Sequence, residues 1–262
     1  MREDSGEIEA ALAGRLPVLV RLEDIRGDLH CHTKASDGQH SIDAVVAAAA
    51  GRGYAYVAIT DHSRSATIAR GLSPSELRAH VRRIRVAQRR HPGMLVLAGS
   101  ECDILPDGTL DYPDELLAEL DVVVAAVHSG FKQTRAEMTR RICRALAHPH
   151  VDILAHPTGR LFGARAPADV DMARVLRDAL RHGKVIEINA QPSRLDLNDL
   201  HARRAHALGV RVAIDTDTHV LDQLACMPLG VAVARRAWME KAEVLNTWPA
   251  GKLAAWARRP PH

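Results

Sequence analysis

The amino-acid sequence predicts an α/β fold in which parallel strands alternate with helices, as a closed β/α barrel or a doubly wound open sheet. Seven short apolar runs recur along the chain, and helix-start and helix-stop signals lie between them. No linker-like low-complexity stretch and no short-period repeat interrupts this alternation. At 262 residues the chain is long enough for one large core, so we expect a single domain.

The seven candidate strands have the length typical of buried strands. They cover residues 25–32, 54–60, 94–99, 121–127, 151–155, 184–189 and 210–215. The segment before them, residues 1–24, has a polar start followed by a Leu/Val-rich patch. We interpret it as a lead-in to a domain that spans residues 25–258.

The stretches between the candidate strands carry helix signals. Residues 73–76 (SPSE) form a capping box with Pro74 at the first helical position, which predicts a helix toward His91. Residues 134–137 (TRAE) repeat the box and predict a helix to about Ala147. Glycines follow other helical runs, as a C-terminal stop should: Gly51 or Gly53, Gly183 and Gly209.

The composition is that of an ordinary globular protein, with 47% hydrophobic and 26% charged residues. A net charge of +3 supplies no strong field for binding polyanions. Arginine pairs recur six times, mostly on stretches typical of amphipathic helices. A solvated helix face is the simpler interpretation, and a distributed weak attraction for phosphates is the alternative. Two Phe, three Trp and three Tyr are few for a protein that stacks single-stranded bases on aromatic rings.

Cysteine usage and hydropathy indicate the compartment. The four cysteines lie far apart without a C-x-x-C pair, which favours a reducing environment over a disulfide framework or a Cys-ligated zinc. No segment reaches the apolar length of a membrane span, and the acidic N-terminus lacks signal-peptide character. We therefore expect a soluble, cytoplasmic protein with no membrane partner and no obligate protein partner.

The most informative motif is the H-x-H pair of His30 and His32, at the end of the first candidate strand. Alternate side chains of a strand share a face, so the two imidazoles point the same way, about 7 Å apart, and can bind one metal ion. Asp37 follows beside Gly38, near enough to serve the same site or a neighbouring one. A lone H-x-H is weak on its own, and the other strand ends give it weight.

Metal-type residues end almost every candidate strand. In parallel β/α folds the carboxyl ends of the strands carry the active site. The residues at this pole that can bind metal are His30, His32, Asp37, His62, Glu101, His128, His156, Asp217 and His219. The third strand offers a carboxylate, Glu101, without an imidazole, and the sixth strand, ending at Glu187, Ile188 and Asn189, offers no imidazole.

These residue types indicate the chemistry. Six imidazoles and three carboxylates without a thiolate suit Zn, Mn or Fe. Nine ligands are too many for one ion and suit two or three, with a carboxylate such as Glu101 able to bridge two of them. Clustered ions activate a bound water and stabilise the attacking and leaving oxygens of a phosphoester. The sequence has neither a P-loop nor a G-x-S-x-G elbow, so metal-assisted hydrolysis is the chemistry that remains.

The ordered set of motifs resembles the PHP family (polymerase and histidinol phosphatase). The matching motifs are DLHCHT at 28–33, SDG at 36–38, ITDH at 59–62, GSE at 99–101, VHS at 127–129, AHP at 155–157 and TDTH at 216–219. Within the family the chain is most similar to the C-terminal domain of bacterial family X DNA polymerases. That closer likeness lies in LEDIRG at 22–27, DGTLDYPD at 107–114, HPTGRL at 156–161 and RLDL at 194–197.

The resemblance implies a distorted (β/α)7 barrel with a trinuclear site. For the reaction we expect a metal-bridging hydroxide to attack the phosphorus. One ion would take His30, His32, Glu101 and Asp217. A second would take Glu101, His128 and His156, and a third would take Asp37, His62 and His219. We expect the catalytic residues to be Asp37, His62, Glu101 and His128.

We therefore expect a phosphoesterase that holds two or three Zn, Mn or Fe ions and acts on a phosphomonoester or a small phosphodiester. Arg160 and Arg194, in the loops after the fifth and sixth strands, are candidate phosphate clamps, with a structural role as the alternative. Family X polymerases place a nucleotidyltransferase region where this sequence has only the lead-in, so we expect a stand-alone enzyme. A 3′–5′ exonuclease acting on nucleic-acid ends is the main alternative, and a C–N hydrolase or a non-catalytic interaction module is less favoured.

Overall fold

Each of the seven apolar runs forms a strand in the computed structural model, which describes residues 6–257. The strands are β1 (Gly27–Cys31), β2 (Tyr56–Ile59), β3 (Leu95–Asp103), β4 (Val122–Ala126), β5 (Ile153–Leu154), β6 (Val185–Asn189) and β7 (Val212–Asp215). All six neighbouring pairs are parallel and follow the order of the chain. The predicted single-domain, distorted seven-stranded barrel is thereby confirmed, and the open sheet is excluded.

Helices connect the strands and pack around them. They are α1 (Glu7–Leu12), α2 (Ile42–Gly51), α3 (Pro74–Arg90), α4 (Asp114–Leu117), α5 (Arg135–Leu146), α6 (Met172–Arg181), α7 (Asp199–Leu208), α8 (Met227–Arg236) and α9 (Ala250–Ala257). Both predicted capping boxes form. The Ser73 N–H donates to the Glu76 carboxylate over 2.8 Å, and the Thr134 N–H donates to that of Glu137 over 2.8 Å. Local caps therefore place the starts of α3 and α5 where the sequence predicts them.

The barrel closes between β1 and the segment that follows β7. The N–H of His32 donates to the carbonyl of Thr218 over 2.8 Å, and the N–H of Thr218 donates to the carbonyl of His30 over 3.3 Å. This closure brings the H-x-H motif beside Asp217 and His219, although His32 and Thr218 are 186 positions apart in the 262-residue chain.

The barrel interior is filled by one apolar cluster to which all seven strands contribute, including Leu29, Tyr56, Ala58, Leu97, Val122, Val124, Ile153, Val185 and Ala213. Strand alternation explains the selection, because Val57 and Ile59 of β2 belong instead to the outer cluster under the helices. Trp248, Leu253 and Trp256 pack against the same inner cluster.

Strand β3 is longer than its apolar run predicts. The run ends at Gly99, but the strand continues to Asp103, because its first half pairs with β2 and its second half pairs with β4. Glu101 therefore lies inside a strand, opposite Val124, and not at a strand exit as expected. The sequence pattern missed this extension because residues 100, 101 and 103 are polar.

The end of the lead-in packs against the barrel wall. Val20 is fully buried, and its N–H donates to the carbonyl of Met239 over 3.0 Å. Leu19 forms an antiparallel bridge with Glu240. The first five residues of the expected lead-in, and the expected domain end at residue 258, lie outside the described residues.

Candidate metal centre

The nine metal-type residues expected at the strand ends come together at one pole of the barrel. His30 and His32 are delivered by β1 and the residue after it, and their rings lie 5.1 Å apart. The ring of His32 is stacked between those of His62 and His219, at 4.4 and 4.1 Å. Six of the nine are almost completely buried, and Asp37, His128 and His219 are partly exposed at the edge of the site. The structure therefore assembles all nine in one cluster.

The first group lies around the H-x-H pair. Nε2 of His32 lies 3.1 Å from Oδ1 of Asp217 and 3.5 Å from Oε2 of Glu101. Nε2 of His30 lies 3.7 and 3.4 Å from the same two oxygens. Two imidazole nitrogens and two carboxylate oxygens thus face a common centre, as strand alternation predicts for the two histidines.

Glu101 reaches a second group through its other oxygen. Its Oε1 lies 2.8 Å from Nε2 of His156 and 3.2 Å from Nε2 of His128. Its Oε2 also lies 2.9 Å from Nδ1 of His62. One carboxylate therefore divides its two oxygens between different sets of imidazoles, which is the geometry of a bridging ligand.

A third group forms around Asp37 at the edge of the site. Its Oδ1 lies 3.3 Å from Nε2 of His219, 3.6 Å from Nε2 of His62 and 4.0 Å from Nδ1 of His32. His62 consequently faces Glu101 through one ring nitrogen and Asp37 through the other.

The donor atoms fit divalent ions. His30 Nε2, His32 Nε2, His62 Nδ1 and Glu101 Oε2 are buried without a hydrogen-bond partner among residues 6–257. His62 Nδ1 and Glu101 Oε2 approach each other but lack hydrogen-bond geometry. Burying such atoms without a partner is costly, and imidazole nitrogen and carboxylate oxygen are ligands that Zn²⁺ and related ions accept. The cluster is therefore built to hold metal.

The surroundings of His32 and His156 lower the pKa of both imidazoles. Burial, assisted by repulsion from His62 and His219, lowers the pKa of His32 to about 4. Burial together with the charge of Arg194 lowers the pKa of His156 to about 3. Both imidazoles are therefore neutral near pH 7 and offer a lone pair, as a metal ligand must.

The carboxylates stay ionised in spite of their burial. Burial alone would raise the pKa of Glu101, but the imidazoles of His62, His128 and His30 hold it well below its ordinary value. Burial likewise opposes ionisation of Asp217, and His30 and His32 hold its pKa well below the ordinary value. Concentrated negative charge in a dry site attracts a cation strongly.

Two of the predicted ligands sit on strained backbone. His156 has φ +24° and Asp217 has φ +51°, in a region that residues other than glycine rarely adopt. Such strain clusters at functional sites and persists only where the surrounding structure enforces it. The N–H of His156 is held by the Glu187 carboxylate over 2.6 Å.

Sequence reasoning missed the groups that orient the ligands. Glu187 on β6 lies 2.7 Å from Nδ1 of His30, and Asp103 on β3 lies 2.6 Å from Nδ1 of His128. A carboxylate at Nδ1 turns Nε2 of the ring toward the metal. The sequence does carry a signal for Glu187, because this carboxylate lies in the middle of β6 on the same face as Val185 of the inner cluster.

The two arginines expected to clamp phosphate occupy different positions. Arg194 lines the cavity of about 410 Å³ that opens onto Asp37, His62, Glu101, His128, Asp217 and His219. Its Nε lies 3.3 Å from Asp217 Oδ2, and its Nη1 is buried without a hydrogen-bond partner in the described chain. Arg160 instead lines a separate cavity with residues 161–167, and its guanidinium donates to the carbonyls of Arg194 and Leu195.

Comparison with known proteins identifies the family. The family model for the PHP domain matches residues 28–191. The chain belongs to the PHP family. The resemblance inferred from the strand-end motifs is thereby confirmed.

Two curated relatives differ in how much of their length this chain covers. The DNA polymerase/3′-5′ exonuclease PolX of Bacillus subtilis (strain 168) is 42% identical over 241 residues, which cover 92% of this chain and 42% of that protein. A probable phosphatase of Thermoanaerobacter sp. (strain X514) is 28% identical over 242 residues, covering 88% of this chain and 94% of that protein. The chain thus spans less than half of the polymerase and nearly all of the phosphatase.

The PHP fold is also seen in a solved structure. The histidinol phosphate phosphatase of Lactococcus lactis, solved with zinc, L-histidinol and phosphate, superposes with a TM-score of 0.60 at 17% identity. The alignment covers 81% of this chain and 93% of that one. Within residues 6–257, no helix combines the length and apolarity needed to cross a bilayer.

Proposed function

We propose that this PHP chain is a metal-dependent phosphoesterase with a trinuclear centre, acting on a phosphomonoester or a small phosphodiester. The observation that carries the proposal is the divided carboxylate of Glu101, whose two oxygens face different imidazole sets 2.8 to 3.5 Å away. A single-ion site needs no such bridge. Three groups of donor atoms within 4.8 Å of one another, found at the same pole, support more than one ion.

The proposed ligand sets follow the family pattern. His30, His32, Glu101 and Asp217 would hold one ion, Glu101, His128 and His156 a second, and Asp37, His62 and His219 a third. The groups of donor atoms within 4.8 Å of one another support these sets in part: they are His30, His32 and Asp217; His62, Glu101 and His128; and His32, Asp37, His62 and His219. Zn, Mn and Fe all accept these ligands, and availability decides between them. His62 connects two parts of the cluster, because its Nδ1 faces Glu101 and its Nε2 faces Asp37.

Bound divalent ions would supply an activated water, as a bridging hydroxide, and positive charge on the phosphoryl oxygens. The chain's own residues do the rest. Asp37, His62, Glu101 and His128 line the cavity and form the wall against which the phosphoester would lie. Arg194 lines the same cavity, and its Nη1 is buried without a hydrogen-bond partner in the described chain; its guanidinium would donate to a phosphate oxygen. Arg160 would act indirectly, by fixing the backbone that carries Arg194.

A 3′–5′ exonuclease is the second candidate function. It is favoured by 42% identity to the Bacillus protein that carries both polymerase and exonuclease in its name. The chain covers only 42% of that protein. Substrate contacts made by the rest of that protein therefore cannot be assigned to this chain. The near-complete coverage of the probable phosphatase favours a small phosphorylated substrate. A C–N hydrolase would use the same metal logic but has no specific observation in its favour.

The test is a panel of phosphoesters assayed with Mn²⁺ or Zn²⁺: chromogenic mono- and diesters, histidinol phosphate, and oligonucleotides labelled at the 5′ or 3′ end. The His30→Ala/His32→Ala variant should lose turnover. His148→Ala/His150→Ala is a matched control, since it removes two imidazoles with the same spacing from the end of α5 and should stay active. If the wild type and His30→Ala/His32→Ala were equally inactive on every ester, the phosphoesterase proposal would be rejected. Activity of the wild type on an amide would then favour a C–N hydrolase.

A further inference from the structure

A groove of about 810 Å³ lies between α5 and α6, and none of its lining residues belongs to the metal centre. Five arginines line it: Arg135, Arg140 and Arg144 from α5, and Arg174 and Arg177 from α6. Asp171 and Asp178 are its acidic residues. Five arginines against two aspartates leave a net charge of +3, equal to the formal charge of the whole 262-residue chain.

The acidic groups are already engaged, so they do not neutralise the whole groove. Asp171 caps α6 by accepting from the N–H of Arg174 over 3.0 Å. Asp178 pairs with the Arg174 side chain at 3.3 Å. Arg140 and Arg177, by contrast, are exposed and form no ion pair with any residue between 6 and 257. They are the cations available to a ligand.

The groove is elongated along α5 and α6. In a β/α barrel the helices begin at the pole where the strands end, and α5 begins seven positions after His128. The groove therefore runs from the catalytic pole down the outer wall of the barrel. The 12 residues of α5 give it a length of about 18 Å. A nucleic-acid strand carries one phosphate per about 3.4 Å when stacked, so the groove accommodates several consecutive phosphates.

We propose that this groove binds the phosphate backbone of single-stranded nucleic acid, chiefly through Arg140 and Arg177. A linear polyanion matches a linear row of guanidinium groups, because each guanidinium can donate two parallel hydrogen bonds to one phosphate. No Phe, Tyr or Trp is among the described lining residues, so these rings provide no platform for stacking the bases. Binding is therefore independent of base sequence and falls steeply with salt. The proposal goes beyond hydrolysis, because binding here does not require the metal centre.

The test is fluorescence anisotropy of a labelled oligothymidine of about twelve nucleotides, titrated with the metal-loaded protein at several salt concentrations. A gel of the same samples checks that the oligonucleotide stays intact. Arg140→Glu/Arg177→Glu should weaken binding at least tenfold and reduce the salt slope by roughly 1.4, the value for two lost single-strand contacts. Arg82→Glu/Arg89→Glu changes the net charge equally at exposed positions of α3 and should weaken binding less than about twofold.

The proposal would be rejected if the wild type did not bind the oligonucleotide at low salt, or if both variants weakened binding equally. It would also be rejected if oligoglutamate displaced the labelled oligothymidine as efficiently as unlabelled oligothymidine does, because the groove would then be a site for acidic peptides. Turnover of a chromogenic monoester should be unchanged in the groove variant, which verifies its fold. A wild type that binds the oligonucleotide but hydrolyses no ester would support the groove and reject the phosphoesterase, so the two proposals fail separately.

Discussion

Glu187 holds His30 from inside the barrel, with its Oε1 2.7 Å from Nδ1 of the imidazole. Its other oxygen accepts the N–H of His156 over 2.6 Å and the Asn189 amide over 3.2 Å. One buried carboxylate on β6 thus orients two predicted ligands from β1 and β5. It turns Nε2 of His30 toward Glu101 and Asp217 and fixes the strained backbone of His156.

Replacing Glu187 with Gln should weaken metal binding. The amide keeps the shape but loses the charge that supports the His30 ring, and such losses typically cost about 10–100-fold in affinity. Titration with Zn²⁺ against a competing chelator measures the effect. Glu115→Gln, at an exposed position of α4, is the control and should bind as the wild type does. Unchanged affinity in Glu187→Gln would show that the ring needs no such support.

Metal stoichiometry should distinguish Glu101 from Asp37. In the proposed scheme Glu101 is a ligand of two ions, through Oε1 and Oε2, whereas Asp37 is a ligand of one. Glu101→Gln should therefore lose about two ions per chain and Asp37→Asn about one, as measured by elemental analysis after gel filtration. Equal losses, or a wild type with a single ion, would contradict the trinuclear arrangement.

Arg194→Ala should lower kcat/KM about 10–100-fold on a phosphomonoester, since a charge-assisted hydrogen bond to phosphate contributes about 1.5–3 kcal/mol. Arg160→Ala should have a smaller effect, because its guanidinium contacts the carbonyls of residues 194 and 195 and not the cavity. Steady-state kinetics of both variants measure this ordering. A larger loss of kcat/KM in Arg160→Ala than in Arg194→Ala would contradict this ordering and indicate that Arg160 contacts the phosphate directly.

Gly71→Ala should destabilise the loop that walls the cavity. A Cβ at this position would lie 1.8 Å from the carbonyl oxygen of Ser63, next to His62, and residues 65–69 of the same loop line the cavity. We expect a loss of about 1–3 kcal/mol in the free energy of unfolding, together with reduced turnover. In Gly51→Ala the new Cβ meets no atom within 4 Å, so stability in urea denaturation should be maintained or slightly increased.

Metal removal should lower the thermal stability of the wild type. Ions that bind only the folded state stabilise it in proportion to the logarithm of their concentration over Kd. The melting temperature should fall with EDTA and recover with added Mn²⁺ or Zn²⁺. The His30→Ala/His32→Ala variant should respond much less, and an equal response there would place the stabilising ions elsewhere.

Local patterns were enough to predict seven strands alternating with helices, and the family resemblance added the closed barrel. Each capping box, at Ser73 and Thr134, acts within four residues, and each apolar run is a short local signal for a strand. The candidate ligands were predictable for a related reason. Parallel strands send their carboxyl ends to one pole, so residue types that follow the strands meet there whatever the details of packing.

Other features depended on which distant segments meet. Glu187 and His30 are 157 positions apart, and Arg160 contacts carbonyls 34 and 35 positions away. No periodicity in the sequence encodes such pairs. The extension of β3 through Glu101 was equally hidden, because its partner changes from β2 to β4 along its length.

The sequence by itself determined the residue types, the order of strands and helices, and the pole at which imidazoles and carboxylates gather. Only the tertiary structure decided which oxygen of Glu101 faces which histidine, which carboxylates orient the rings, and which arginines line the cavity or the α5–α6 groove. The physical reason is the distance along the chain over which each kind of interaction acts. Backbone preferences and strand polarity act over a few residues, whereas side-chain contacts between strands require the closed barrel.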